Sequence, residues 1–229
     1  MNVVETLAWA VRLPEDVRIR LCFSKDSLSG RISAKERRRL FDGAARCGIA
    51  CSHELARNMG VNVAYPDREA GGIVPVFAQF VRPDAITLFA RRIEKAARLF
   101  EENSAILPDR IPVENMLLAH ELFHWIEEQQ KDAIFTRKEK ITLWQKPFLY
   151  KVAVSCLSEI AGMAFAQDLL GIAFCPFALD LLLAYTMDKG MSGNIYCYLK
   201  TFEGNSSKKQ EGDNEELPNK KRLHHISRR

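Results

Sequence analysis

The stretch Leu117-Leu118-Ala119-His120-Glu121-Leu122-Phe123-His124-Trp125-Ile126 constrains this chain more than any other. Its flanks are uncharged, mostly apolar and free of Pro and Gly, a pattern that predicts a helix buried in a core. On a helix, residues four apart lie one turn above each other, so His120 and His124 project from the same face and can share one metal ion. Glu121, between them, is placed to take the proton of a metal-bound water. The competing explanation is two histidines that fall four apart by coincidence. A decoy shows how easily half of the pattern arises: His53-Glu54-Leu55-Ala56-Arg57 starts alike but puts Arg57 where the second histidine should be, and His53 reads as structural.

A catalytic zinc site usually takes three protein ligands and leaves one position open for water. Glu127 and Glu128 follow on the same helix, but roughly 9 Å along the axis is too far. A better third ligand lies in the run from Pro147 to Ala166, which reads as an amphipathic helix. Its stripe is Phe148, Val152, Ser155, Cys156, Gly162, Met163, Ala166 and Leu170, and Glu159 falls inside that stripe. A carboxylate on an apolar face is costly to bury unless it is paired or coordinates a cation. The alternative is a buried ion pair with an arginine. Asp168 lies about half a turn away on the helical wheel and faces elsewhere.

A HExxH helix followed by a second helix carrying a glutamate resembles the gluzincin metallopeptidases, and within them the ImmA/IrrE-type family. The closer similarity rests on Glu159-Ile160-Ala161-Gly162-Met163-Ala164-Phe165-Ala166-Gln167-Asp168-Leu169-Leu170. This is similar to that family's glutamate, small residue three on, Phe-Ala and Leu-Leu pair. Met163 stands where the family often has Asn, and Gly171 where it usually has Met-Pro. The resemblance covers roughly residues 60–185. It implies a regulatory protease acting on a protein such as a transcriptional repressor of the helix-turn-helix kind.

The rest of the chain narrows the setting. Its 229 residues fit one domain and a tail, and a 47% hydrophobic content can supply a core. A net charge of +4 is too small to argue for direct nucleic-acid binding. No signal peptide is evident in residues 1–16, and Pro176 and Asp180 interrupt the longest apolar run, which argues against a membrane span. Six cysteines at irregular spacing then read as thiols of a reducing cytoplasm. Cys47 and Cys51 are one helical turn apart, suited to a second metal pair, although packing is the commoner reason.

Val17 to Phe23 alternates with period two and reads as a strand. Ser33 and Glu36 are spaced as a capping box opening a helix through about Arg46, and Ser52 reads as the cap of a second short helix ending at Gly60. The basic cluster Lys35, Arg37, Arg38 and Arg39 suits an acidic partner, though a solvated face explains it more simply. Val61–Tyr65 is a strand; Ile73–Phe80 and Ala85–Phe89 are two more joined by a turn, with Pro75 confining the first to an edge or strand start. Arg91–Asn103 is an amphipathic helix with Ile93 and Ala96 inward. Lys131–Lys146 is a lid over the cleft or a plain connector, Phe177–Met187 an apolar helix, and the segment from Glu203 a disordered polar tail holding His224 and His225.

These readings combine into an α+β, zincin-like fold: a small twisted sheet packed against the active-site helix and a second metal-ligand helix. Residues 1–60 join a metallopeptidase core at 61–202, and 203–229 form the tail. The expected site is Zn2+ on His120, His124 and Glu159, with Glu121 as the base, cleaving a peptide bound along the edge strand. Tyr150, Tyr185 and Tyr196 are the phenols available to the oxyanion. A His-His-carboxylate set also suits ferrous iron. The competing functions are a non-catalytic, metal-stabilised binding module and a hydrolase or oxygenase for a small molecule.

Overall fold

The computed structural model describes residues 8–24, 26–55, 61–66, 76–102, 113–144 and 148–172, with Leu183, Cys197 and Thr201 as single positions. Helices and two small sheets make up a mixed α+β arrangement. The chain runs α1 (Glu15–Ser24), α2 (Ala34–Leu55), β1 (Asn62–Ala64), β2 (Ala78–Val81), β3 (Ala85–Leu88), α3 (Ala90–Glu102) and α4 (Val113–Gln129). It continues through α5 (Phe135–Lys138), β4 (Lys140–Trp144), β5 (Tyr150–Ala153) and α6 (Cys156–Leu170). The expected helix Phe177–Met187 lies outside the described residues apart from Leu183, which is buried. Pro75, the tail from Glu203, Tyr185 and Tyr196 also lie outside them.

The run Val17–Phe23 is helix, which corrects the strand expected there. Val17, Ile19, Leu21, Cys22 and Phe23 are all buried, so the apparent alternation reflects burial on several sides of a short helix. Seven residues are too few to separate the two periods. The local signals favour a helix start: Pro14 precedes it and accepts from the Arg18 N–H at 3.0 Å, and Glu15 and Asp16 fill the first turn.

Ser33 caps α2 as its spacing suggests, its Oγ accepting the Glu36 N–H at 3.2 Å. The helix then continues unbroken to Leu55, so Ser52 is interior and starts no second helix. Its hydroxyl bonds back to the Ile49 carbonyl at 2.8 Å and reaches the Asp168 carboxylate on α6. Gly48 explains how the two helices lie so close: a Cβ there would stand 2.2 Å from the Ala161 carbonyl oxygen. The basic cluster at the start of α2 is largely matched within the fold. Arg38 pairs with Glu15 at 2.7 Å, and Arg39 with both Glu36 and Glu139 at 2.7 and 2.5 Å.

In the larger sheet β3 is central, parallel to β1 and antiparallel to β2. Ile86 and Leu88 of β3 are fully buried. Strand β2 lies at the edge and packs with β3 on α4. Antiparallel partners alternate between facing each other and facing outward. The Phe89 N–H bonds the Phe77 carbonyl at 3.0 Å, so position 79 continues the ladder, while Ala78 and Phe80 turn their backbone away from β3, to an edge that is open among the described residues.

The helix expected from Pro147 starts later than its apolar stripe suggested. Tyr150–Ala153 is strand β5, paired antiparallel with β4, and Trp144 stacks on Tyr150 with ring centroids 4.7 Å apart. Cross-strand β-branched and aromatic pairs outweigh a helical pattern carried only by Phe148 and Val152. Phe148 is 80% exposed. Residues 131–144 are therefore a short helix and a strand whose Ile134 and Ile141 enter the core. Helix α6 opens at Cys156, where buried Asp26, from the loop after α1, accepts the Cys156 N–H at 3.2 Å and the Ser155 hydroxyl at 2.8 Å. It closes at Gly171, whose φ of +62° suits a residue without Cβ.

One hydrophobic cluster runs from Ala10 to Leu183 and includes Phe23, Phe123 and Phe165. Among the described residues, no helix is long and apolar enough to cross a membrane.

Candidate metal centre

Helix α4 buries Met116, Leu117, Ala119, Leu122, Phe123 and Ile126. The Phe123 ring meets Phe165 of α6 at a centroid distance of 5.9 Å, which draws the two helices together. His120 and His124 are left half-buried where α4 faces α6. Their Nε2 atoms are 3.0 Å apart. Glu159 completes the group: its Oε2 lies 3.2 Å from His120 Nε2 and its Oε1 3.7 Å from His124 Nε2.

These separations test whether a metal fits. Bonds of about 2.0–2.2 Å in a tetrahedral site place donor atoms about 3.3–3.6 Å apart. The histidine nitrogens at 3.0 Å and the Glu159 Oε2–His120 Nε2 pair at 3.2 Å come close to that spacing, and the three donor atoms all lie within 4.8 Å of one another, so small side-chain shifts would bring them onto one ion. A second observation agrees. Gly162 lies under the His120 ring, and a Cβ there would approach His120 Cε1 and Nδ1 to 3.0 Å, so the bare glycine makes room for the imidazole.

The cause inferred for Glu159 differs from the one found. Its side chain is 47% exposed, so no buried charge demands a partner. What brings it to the histidines is the placement of α6, fixed by Asp26 at its start, Gly48 behind it and Phe165 in front. Asp168 is exposed and bonded to Ser52, away from the group.

His124 is held below its usual pKa, first by burial and then by its neighbour His120, with Glu159, Glu121 and Glu127 pulling the other way. Its outer nitrogen is also specified. Ser158 Oγ is 3.1 Å from His124 Nδ1 and donates to Glu127 Oε2 at 2.9 Å. A hydroxyl carries one proton, so its bond to the carboxylate leaves it an acceptor for Nδ1–H and turns the Nε2 lone pair toward Glu159. Glu127 is only 1% exposed, accepting the Thr136 hydroxyl at 2.5 Å and pairing with Arg137 at 2.8 Å. Outer partners of this kind typically change metal affinity by about 10–100-fold when removed. Ser158→Ala is therefore expected to weaken zinc binding by about tenfold or more while the fold persists. Competition against a chelator measures it.

Glu121 stands beside the donors, and its Oε2 accepts the Phe80 N–H of β2 at 2.6 Å. This bond ties the HExxH helix to the open edge. Tyr150, the one expected phenol among the described residues, is 47% exposed on the β4–β5 hairpin. From sequence, Ser158 and the Phe80 N–H were not singled out, and Glu127 was weighed only as a metal ligand and set aside. Ser158 adjoins Glu159 and Glu127 is one turn beyond His124, whereas a backbone donor leaves no residue signal.

Comparisons with protein-family models, with curated proteins and with solved structures find no match to this chain.

Proposed function

We propose that this chain is a zinc-dependent metallopeptidase with a zincin-like core, acting on a protein or peptide substrate in the cytoplasm. The observation that carries the reading is the convergence of His120, His124 and Glu159 at donor spacing beside Glu121, itself anchored to an open strand edge. The resemblance of the HExxH helix and the glutamate helix to gluzincins of the ImmA/IrrE type adds to it, and makes a transcriptional repressor a reasonable first substrate to test.

Zinc at this place would supply a Lewis acid and a bound water of lowered pKa. Glu121 contributes the base. With Oε2 fixed by the Phe80 N–H, Oε1 is the oxygen that takes a proton and returns it to the leaving amine. An extended substrate added to β2 would meet the outward backbone of Ala78 and the carbonyl of Phe80, groups that hold a peptide whatever its side chains, while the Phe80 N–H stays with Glu121. Ser158 and Glu127 keep His124 oriented throughout.

The test is elemental analysis of untagged protein, wild type and Glu159→Ala, together with cleavage of an unstructured protein. The variant is expected to hold about one zinc per chain fewer than wild type, because removal of one of three ligands leaves an incomplete site. Equal zinc in both, or none in wild type after incubation with zinc, would overturn the assignment.

A further inference from the structure

Helix α2 carries two thiols apart from the donors on α4 and α6. Cys47 and Cys51 both line a cavity of about 370 Å³ together with Gly43, Arg46, Ala50, Gln130, Ala133, Ile134 and Phe135. Cys51 is buried and Cys47 half-buried, yet each has a face on this opening. Cys51 and the backbone N–H groups of Phe135 and Thr136 are the hydrogen-bonding neighbours that lower the Cys47 thiol.

We infer that Cys47 and Cys51 form a dithiol site for a thiophilic metal ion, separate from the histidine pair. Two uses of such a pair compete, disulfide formation and chelation, and geometry decides between them. A disulfide needs Cβ atoms about 3.5–4.5 Å apart. Residues four apart on a helix hold theirs about 5–6 Å apart. Closing that gap would deform α2 where Gly48 lies 2.2 Å, measured from an ideal Cβ, from the Ala161 carbonyl, so the helix has little room to give. Chelation needs no such movement. Two thiolates on a tetrahedral ion with bonds of about 2.3 Å stand about 3.8 Å apart, a separation that side chains one turn apart on one helix face reach by rotation about χ1.

The surroundings favour thiolate at one member. The Cys51 thiol, and then the Phe135 and Thr136 N–H groups, draw Cys47 down to about 7 against the effect of burial. Cys156 shows the opposite environment, since burial and Asp26 push its thiol up. The charged groups nearby are Arg46 on the cavity wall and Glu127, which is already paired with Arg137. On binding, the ion displaces the proton from each thiol, and the two protons pass to solvent. The cavity leaves its remaining positions to water.

Cadmium is the probe, because its bonds to thiolate give an ultraviolet charge-transfer band that imidazole and carboxylate ligands do not. Reduced full-length protein titrated with Cd2+ is expected to show a band with the amplitude of two thiolates. The band is lost in Cys47→Ser and in Cys51→Ser and retained in Cys197→Ser. In the wild type, peptide mapping after alkylation supplies a readout that depends on no variant: Cd2+ should slow modification of Cys47 and Cys51 together, by about tenfold or more. A band undiminished in folded Cys47→Ser, or alkylation of Cys47 at the same rate with and without cadmium, would overturn the site. Neither result bears on the zinc content assigned to His120, His124 and Glu159.

Discussion

Glu121→Gln is expected to lose at least about a hundredfold in kcat while keeping its full zinc content, since general-base catalysis typically contributes about 10²–10⁴-fold. The amide keeps a carbonyl oxygen in the position of Oε2, so the bond from the Phe80 N–H and the link between α4 and β2 survive. What disappears is the oxygen able to hold a proton. KM should change little, because the lost interaction belongs to the transition state. Steady-state cleavage by metal-loaded wild type and variant decides it. If wild type and variant bind zinc equally and neither cleaves any peptide, the chain is a metal-stabilised binding module and Glu121 serves only to tether the strand.

The second large effect is structural. A methyl group at position 48 would stand 2.2 Å from a backbone oxygen on α6, and no side-chain rotation relieves it. Either helix must shift by about 1 Å, and overpacking of this kind commonly costs up to about 3 kcal/mol. Gly48→Ala should therefore move the urea midpoint down by about 1–2 M. Gly43→Ala makes a suitable comparison, because its new methyl would meet the Phe135 ring at 2.4 Å, and the end of a side chain can turn aside. The Gly48 variant should also lose zinc affinity, since Ala161 lies two residues after Glu159. A midpoint unchanged from wild type would mean that the α2–α6 contact is looser than described.

Both expectations bear on what could be read from residues alone. His120, Glu121 and His124 were legible because their chemistry and spacing sit on one helix, where the sequence interval is the spatial interval. That Glu159 lies near the histidines was also expected, through an argument from burial that its 47% exposure does not support. The placement of α6 was beyond reach, since it depends on Asp26, Gly48 and Phe165, which mean nothing until the helices meet. Elements with one clean face, such as α3 with Ile93 and Ala96 buried, were read close to their bounds. Those buried on several sides, such as α1, were not, because a period needs a polar face to define it. The hairpin β4–β5 failed for a related reason: Val152 suits either a strand or a helix, and only its partner Ile141 decides.

The open edge of β2 has a consequence for how the protein behaves among copies of itself. A strand with outward-facing backbone is a template for any other extended chain, including another molecule of the same kind. Here the strand is only four residues long and mostly half-buried, and a carboxylate takes one of its outward N–H groups. Glu121 thus does two things that are usually assigned to different residues. The side chain proposed to act on a bound peptide also withholds one N–H of the edge from any second strand.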